Sequence, residues 1–249
     1  MAGQAARAGV RLTTTVLLAP AKLTVSLRVT GVRDDGYHLI DAEMVSLDLA
    51  DELTINDGWG LDVVEGHNLG YVDPDDNLVG RALRAVGREA HVELRKRIPA
   101  GGGLGGGSSN AASVLRWAGC DDLAIAASLG ADVPFCLRGG RARVTGIGEV
   151  LEPLPFEARS VTLAMPPFGC STPAVYAAWD ELGGRHADGP NDLEPAALAV
   201  EPRLARFRDA RGEATGQTPV LAGSGSTWFV AGEFPGEGRI VAHTVPAYW

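Results

Sequence analysis

Six of the seven residues from Gly101 to Gly107 are glycine. Such a run costs much backbone entropy on folding, and the usual return is that bare backbone can approach a ligand closely. Successive amides without side chains can turn inward as a nest for an anion. Ser108 or Ser109 is placed to cap a helix carrying Ala111, Ala112, Val114 and Leu115. The free N–H groups and positive dipole end of that helix would add to the same point. Lys96, Arg95 and Arg97 stand just before the run and supply positive charge. The chemistry is therefore phosphate binding, with a flexible surface loop as the bland alternative.

Spacing alone does not say which phosphate fold this is. Gly101, Gly103 and Gly106 satisfy the bare GxGxxG pattern of dinucleotide folds and protein kinases. Asp121 falls where a dinucleotide fold wants its ribose-binding acid, but it opens the helical segment DDLAIAAS instead of ending an apolar strand. A P-loop would close with Gly-Lys-Ser/Thr, and here Gly107 runs directly into Ser108 and Ser109. HRD and DFG, which a protein kinase needs, are absent from the sequence.

The elements around the run alternate in type. Val16–Leu18 and Leu23–Val29 read as strands, the second with Leu23, Val25, Leu27 and Val29 on one face. Met44–Leu49 and Leu53–Ile55 read as further strands after the charged turn RDDGYH. Asp75–Glu89 reads as a helix started by Pro74-Asp75-Asp76, and His91–Ile98 as a strand leading into the glycines. Gly119 stops the next helix, after which Asp121 opens a short one that Gly130 closes. Past Gly139 the chain is strand-like and turn-rich, and EPLPFEARS marks the expected division into residues 1–153 and 154–249. The second part offers a strand at Val161–Met165, helices at Pro173–Leu182 and Pro195–Asp209, and a strand at Thr227–Val230 after LAGSGS. Strands and helices mixed without strict alternation indicate an α+β fold.

Composition sets outer bounds. The 249 residues are 45% hydrophobic and 21% charged, within globular ranges. The net charge of -9 argues against a nucleic-acid partner, because phosphate-backbone affinity needs clustered Lys and Arg. Cys120, Cys136 and Cys170 are too far apart for a zinc or redox motif and read as reduced thiols of a cytoplasmic protein. The N-terminus lacks a signal-peptide core, since VLLAPAKL is broken by Pro20 and Lys22, and no stretch approaches membrane-span length.

The string PAGGGLGGGSSNAAS, Pro99 to Ser113, resembles the phosphate-binding motif of the GHMP kinase family with an expanded loop. APAKLTVSLRVTGVRDDGYH, LGADVPFCLRGG with its trailing GIGE, STPAVY and LAGSGST follow in the family's order and together span about Ala19 to Phe229. They resemble the branch that acts on a cytidine diphosphate-linked methylerythritol in non-mevalonate isoprenoid synthesis. The resemblance implies a two-domain GHMP kinase fold, its N-terminal domain ribosomal-protein-S5-domain-2-like and its C-terminal domain ferredoxin-like, with the site in the cleft between them. It also implies an ATP-dependent phosphotransferase with an alcohol acceptor. Other acceptors of the family (mevalonate, homoserine, a sugar) and a nucleotide-binding relative without catalysis stay open.

Carried over by motif, the resemblance makes Asp132 the catalytic acid/base and Lys22 its charged partner. A dissociative phosphoryl transfer lets a carboxylate of ordinary pKa, about 4, accept the hydroxyl proton late. Asp132 follows Gly130 in an extended Val-Pro context, which places it on a loop; on its own it also reads as a turn-stabilising aspartate. ATP would lie on Pro99, Gly101, Gly102, Gly103, Leu104, Gly105, Gly106, Gly107, Ser108 and Ser109, with Asn77 lining the purine pocket. Mg²⁺ would accompany it, with Ser109 as a candidate ligand. On the acceptor side the resemblance implies Thr24, where the family commonly has Asn, together with Tyr37, His38, Thr172, Tyr176, Gly223, Ser224 and Gly225. Tyr37 and Tyr176 would sandwich the cytosine while His38 reads its polar edge. Tyr37 and His38 also read as a turn pair, Tyr176 as a core contact, and Gly223–Ser226 as a strand-entry turn.

Overall fold

Residues 14–66, 70–71, 73, 75 and 77–248 are described by a computed structural model. The stretch examined for a leader, residues 1–13, lies outside them, as do Pro74 and Asp76. Two long antiparallel strands form the spine, β1 (Thr15–Val32) and β2 (His38–Asn56), paired from Thr15↔Ile55 to Val32↔His38. Each had been expected as two short strands. β1 continues through Pro20 because the register shifts between Pro20 and Lys22, and a bulge on an edge accommodates a residue without an N–H. β2 continues through Asp51, which is wholly buried yet accepts hydrogen bonds from the amides of Arg97 (2.7 Å) and Ile98 (2.8 Å). Lys96 adds an ion pair to the same carboxylate.

The other edge of β2 changes partner along its length. It pairs first with β6 (Arg141–Gly146), then with β11 (Arg239–Val245), then with β5 (His91–Arg95). β3 (Gly60–Glu65) lies parallel to β5 and carries β4 (Gly70–Tyr71), while β7 (Val150–Pro153) pairs with β6. β11 also pairs with β8 (Ser160–Ala164), which pairs with β10 (Trp228–Ala231), and β9 (Val220–Leu221) closes that side. β3, β4 and β11 were not anticipated. β11 joins the elements on either side of the expected division at 153/154 into one sheet of 11 strands.

Seven helices are described. α1 (Leu78–Ala85) is shorter than the expected Asp75–Glu89, because Asn77 is its N-cap, accepting from the Val79 amide at 2.9 Å. α2 (Gly106–Trp117) begins earlier than expected, with Gly105 in the left-handed region as its N-cap and no side-chain cap from Ser108 or Ser109. α3 (Leu123–Leu129) is capped by Asp122, not Asp121. α4 (Val133–Arg138) replaces the extended Val-Pro context: Asp132 has helical φ and ψ and is its N-cap. Pro134 is compatible with this because a first-turn residue has no intrahelical N–H bond to lose. α5 (Thr172–Glu181) lies near its expected bounds. The single helix expected at Pro195–Asp209 is two, α6 (Glu194–Val200) and α7 (Arg203–Thr215), parted at Glu201, which leaves the helical region (φ -133°, ψ 84°) before Pro202.

Helices and sheet bury one large apolar cluster, with Leu53, Leu94, Leu115, Phe135 and Trp228 in it. A second cluster joins Leu23, Leu47, Leu163, Phe229 and Leu104, so the sole non-glycine residue of 101–107 is a core residue.

Asp192 ties β1 to the α5–α6 connection from a wholly buried position. Its carboxylate accepts from Arg28 (2.6 Å), the Val29 amide (2.9 Å), His186 (2.6 Å) and the Ala187 amide (2.9 Å). Burial alone pushes its carboxyl up, but the bonds from His186, Arg28 and the two amides outweigh it and leave the group below the usual carboxylate range. The folded state thus holds Asp192 ionised to lower pH than the unfolded chain does. Its stabilisation is complete above about pH 4 and fades as pH falls through the lowered value. Urea midpoints of the protein and of Asp192→Asn should differ most near neutrality and converge in acid; a gap that widens in acid would refute this.

Candidate active site

β1 points Lys22 and Thr24 to the same face, two residues apart, and buries both to 6% and 1% exposure. The Lys22 ammonium donates to Thr24 Oγ1 at 3.3 Å and lies 3.2 Å from Asp132 Oδ2. Asp132 reaches it from the start of α4, its carboxyl about one-third exposed. These two groups, 110 residues apart in sequence, meet where two hollows adjoin.

The first hollow, about 560 Å³, is lined by Pro99 to Gly107 together with Asn77, Lys96 and Asn110. The second, about 640 Å³, is lined by Lys22, Thr24, Tyr37, His38, Asp132, Thr172, Tyr176, Gly223 and Ser224, with Ser108 at its edge. Gly103 lines both. A third hollow of about 670 Å³ lies against α6 and α7 and contains none of these groups.

The glycine loop is held by its backbone. Leu104 sinks into the second core while its carbonyl accepts from the Lys22 amide at 3.0 Å, and the Gly102 carbonyl accepts from the Thr227 amide at 3.3 Å. Gly103 has φ +75°, and a Cβ there would lie 2.6 Å from the Gly225 carbonyl oxygen. Gly105 has φ +67°, and a Cβ there would lie 2.6 Å from Lys22 Cγ. Absent side chains therefore let the loop press on the Gly223–Ser226 segment on one side and on the Lys22 stem on the other. The start of α2, without a side-chain cap, leaves first-turn N–H groups for a ligand in the first hollow. Lys96 lines this hollow with its ammonium committed to Asp51.

The Gly223–Ser226 segment is braced from behind by Asn191, 1% exposed, whose Nδ2 donates to the carbonyls of Leu221 (2.8 Å) and Gly223 (2.7 Å). Its own Oδ1 accepts from the Leu193 amide at 2.9 Å. Thr172 and Ser224 share a hydroxyl hydrogen bond of 2.8 Å across the second hollow. Gly225 packs behind them against Leu221 and Cys170.

At the far end of the second hollow His38 is the ring beside Tyr176. The ring of His38 lies 4.7 Å from that of Tyr176, tilted by 35°, and edge-on to Trp179 at 5.6 Å. His38 Nε2 is 2.9 Å from Asp180 Oδ1. Tyr37 stands 59% exposed at the rim. Burial, helped by the Asp132 charge, pushes the Tyr176 phenol up to about 12, so it is a neutral wall. The same two causes raise the Cys136 thiol to about 12, which makes it inert as a nucleophile. Asn191, Trp179 and Asp180 were missed from sequence; nothing in the spacing of Asn191 announces two carbonyls 30 and 32 residues away.

Ser109, the candidate metal ligand, is 1% exposed and lines neither hollow. Among the described residues no group of three or more His, Cys, Asp or Glu could hold a metal ion. The donor set fits only an ion whose ligands are mostly phosphate and water.

Residues 77–140 match the family described as GHMP kinases N terminal domain. The 4-diphosphocytidyl-2-C-methyl-D-erythritol kinase of Paracoccus denitrificans is 39% identical, over 93% of this chain and 93% of that relative. That of Ruegeria pomeroyi is 37% identical over 93% and 95%. This chain belongs to the 4-diphosphocytidyl-2-C-methyl-D-erythritol kinase family, within the GHMP kinases. A crystal structure of 4-(cytidine 5'-diphospho)-2C-methyl-D-erythritol kinase superposes with a TM-score of 0.74 at 32% identity, covering 92% of this chain and 99% of that one. The mevalonate kinase of Methanococcus jannaschii, at 11% identity and a TM-score of 0.58, shares the fold. The α+β reading and the GHMP kinase fold thus both hold, and among the described residues no helix is long and apolar enough to cross a membrane.

In this kinase the contact between Gly103 and the Gly225 carbonyl gives a direct test. Gly103→Ala should lower kcat/KM about a hundredfold, because it forces the glycine loop, which lines both hollows, away from the Gly223–Ser226 segment, which lines the second. Its thermal midpoint should fall by only a few degrees, since no core side chain is lost. Steady-state ADP release and a melting curve measure both, and near-normal kcat/KM would refute the assignment.

Proposed function

We propose that the protein transfers the γ-phosphoryl group of ATP to the 2-hydroxyl of 4-diphosphocytidyl-2-C-methyl-D-erythritol, giving the 2-phosphate and ADP, a step of non-mevalonate isoprenoid precursor synthesis. The observation that carries this is the Lys22–Asp132 pair at 3.2 Å, set where the glycine-lined hollow meets the hollow walled by His38 and Tyr176. The nucleotide's phosphates occupy the glycine side, held by loop amides and the open start of α2, with the purine toward Asn77. The acceptor occupies the other side with its cytosine against His38, Tyr176 and Tyr37.

The positions of the residues support a task for each. Thr172 and Ser224 are hydroxyls at the acceptor's diphosphate and alcohol portion, and Thr24 fixes the Lys22 ammonium. Lys22 places positive charge beside the equatorial oxygens as negative charge spreads over them. Asp132 accepts the acceptor hydroxyl's proton late, when bond-making to phosphorus has made that proton acidic. Mg²⁺ held by the phosphates and water would neutralise charge on the β and γ oxygens. We place the cleft between residues 1–153, which supply Lys22, the loop and Asp132, and residues 154–249, which supply Thr172, Tyr176 and Gly223 to Gly225.

Asp132→Asn keeps the shape of the carboxyl and removes its basicity. Nucleotide binding by calorimetry should stay within about twofold, while turnover falls by about 10² to 10⁴. In a panel of alcohols, the cytidyl substrate should be turned over and mevalonate, homoserine and sugars should not. Tyr176→Ala should raise KM for the cytidyl substrate, consistent with roughly 1 to 3 kcal/mol for stacking, and leave KM for ATP unchanged. Turnover of another alcohol in preference to the cytidyl compound would overturn the acceptor assignment.

A further inference from the structure

The two helices that begin at the reacting groups are tied together at their other ends. α2 starts at the glycine loop and carries Arg116 in its last turn; α4 starts at Asp132 and ends six residues later. Arg116 Nη1 donates to the carbonyls of Cys136 (2.6 Å) and Leu137 (3.3 Å), and Nη2 donates to Ser113 Oγ at 2.7 Å. Ser113 Oγ in turn donates to the Leu18 carbonyl of β1 at 3.2 Å. The ring of Tyr248 covers the guanidinium, with Arg116 Cζ 4.0 Å from its centroid. Tyr248 is itself fixed to α4, donating its amide to the Arg138 carbonyl at 3.3 Å and lying so close to Gly139 that a Cβ there would be 2.8 Å from Cδ2.

A helix of six residues has almost no cooperative stability of its own, and its last carbonyls have no intrahelical donors. Its position is set by its buried apolar residues, Val133, Phe135, Cys136 and Leu137, and by whatever takes those carbonyls. Here a single residue connects the two ends: the Cys136 amide donates to the Asp132 carbonyl at 3.0 Å, and the Cys136 carbonyl accepts from Arg116. We infer that Arg116, covered by Tyr248, is a positioning residue that holds Asp132 in register with Lys22 and the glycine loop. This rests on the reading of Asp132 as the proton acceptor. Lysine cannot replace the planar fork, which serves two carbonyls and a hydroxyl while stacking on a ring. The Tyr248 hydroxyl is buried without a hydrogen-bond partner, so it is the ring that matters.

The test is steady-state ADP release with ATP and the cytidyl acceptor, run well below each variant's melting temperature and expressed per folded enzyme. Arg116→Lys and Tyr248→Ala should each lower kcat about tenfold with KM for ATP within about twofold, as expected of a catalytic group displaced by a fraction of an ångström. Tyr248→Phe should restore full kcat. In an Asp132→Asn background the same substitutions should cause no further loss, because the group they position is gone. Unchanged kcat in both Arg116→Lys and Tyr248→Ala, or an undiminished loss in the Asp132→Asn background, overturns the inference while leaving the function intact. Wild-type turnover by Asp132→Asn alone overturns the role of Asp132 and the inference with it. If Arg116→Lys does not fold, the two Tyr248 variants carry the test.

Discussion

Lys22 is 6% exposed, and taking a cationic side chain out of water is costly unless fixed acceptors replace the water. Lys22 has Asp132 at 3.2 Å and Thr24 at 3.3 Å, and its stem fills the space that a side chain on Gly105 would need. Much of the remaining architecture follows from meeting that requirement. β1 must be long enough to bring Lys22 beneath the loop, α4 must start at Asp132, and the loop must lack side chains where it crosses the lysine. On the proposed reading a negative phosphoryl group would arrive beside Lys22, and a cation already fixed in place would meet its charge at little reorganisation cost.

The loop is rigid through an unlikely agent. Six glycines in a row of seven would be floppy in isolation, yet Leu104 in their midst is 1% exposed and its carbonyl is taken by the Lys22 amide. Glycine permits close approach and leucine removes the freedom that glycine brings. Asn191 does the equivalent for the opposing segment by holding the Leu221 and Gly223 carbonyls. Two glycine-rich segments are thus pinned from their outer sides and pressed together at Gly103 and Gly225, the first lining both hollows and the second only the one that holds Lys22 and Asp132.

Local signals in the sequence were read correctly where they report local physics. The glycine run, the strand before it, the helix after it and the stops at Gly119 and Gly130 all depend on residues within a few positions. Helix starts were misplaced by one to three residues at α1, α2 and α3 and the break before Pro202 was missed, while the larger errors came where a distant partner decides. Asp51 interrupts an apolar strand pattern and reads as a break until the Arg97 and Ile98 amides arrive to satisfy it. The Val133-Pro134 step reads as extended, and tertiary packing of α4 against α2 makes it helical instead. His38 and Tyr176 were singled out separately in the sequence, but their contact with each other and the hydrogen bond between Asp180 and the imidazole depend on where α5 docks.

The site residues come from every part of the chain, and the sheet is what makes their spacing reproducible. β2 is bonded to β1 along its whole length, to β6 and β5 at its two ends and to β11 between them. β11 in turn carries β8 and, beyond it, β10, which follows the Gly223–Ser226 segment directly. Lys22 on β1 and Gly225 before β10 are therefore connected through continuous backbone hydrogen bonds, and that path resists stretching far better than side-chain contacts do. β11's bridge to β2 is two residue pairs, Thr244↔Leu47 and Val245↔Ser46. That short ladder is supported by contacts elsewhere between the same elements: Gly103 against the Gly225 carbonyl, Asp192 on Arg28 and the Val29 amide, and His38 with Asp180.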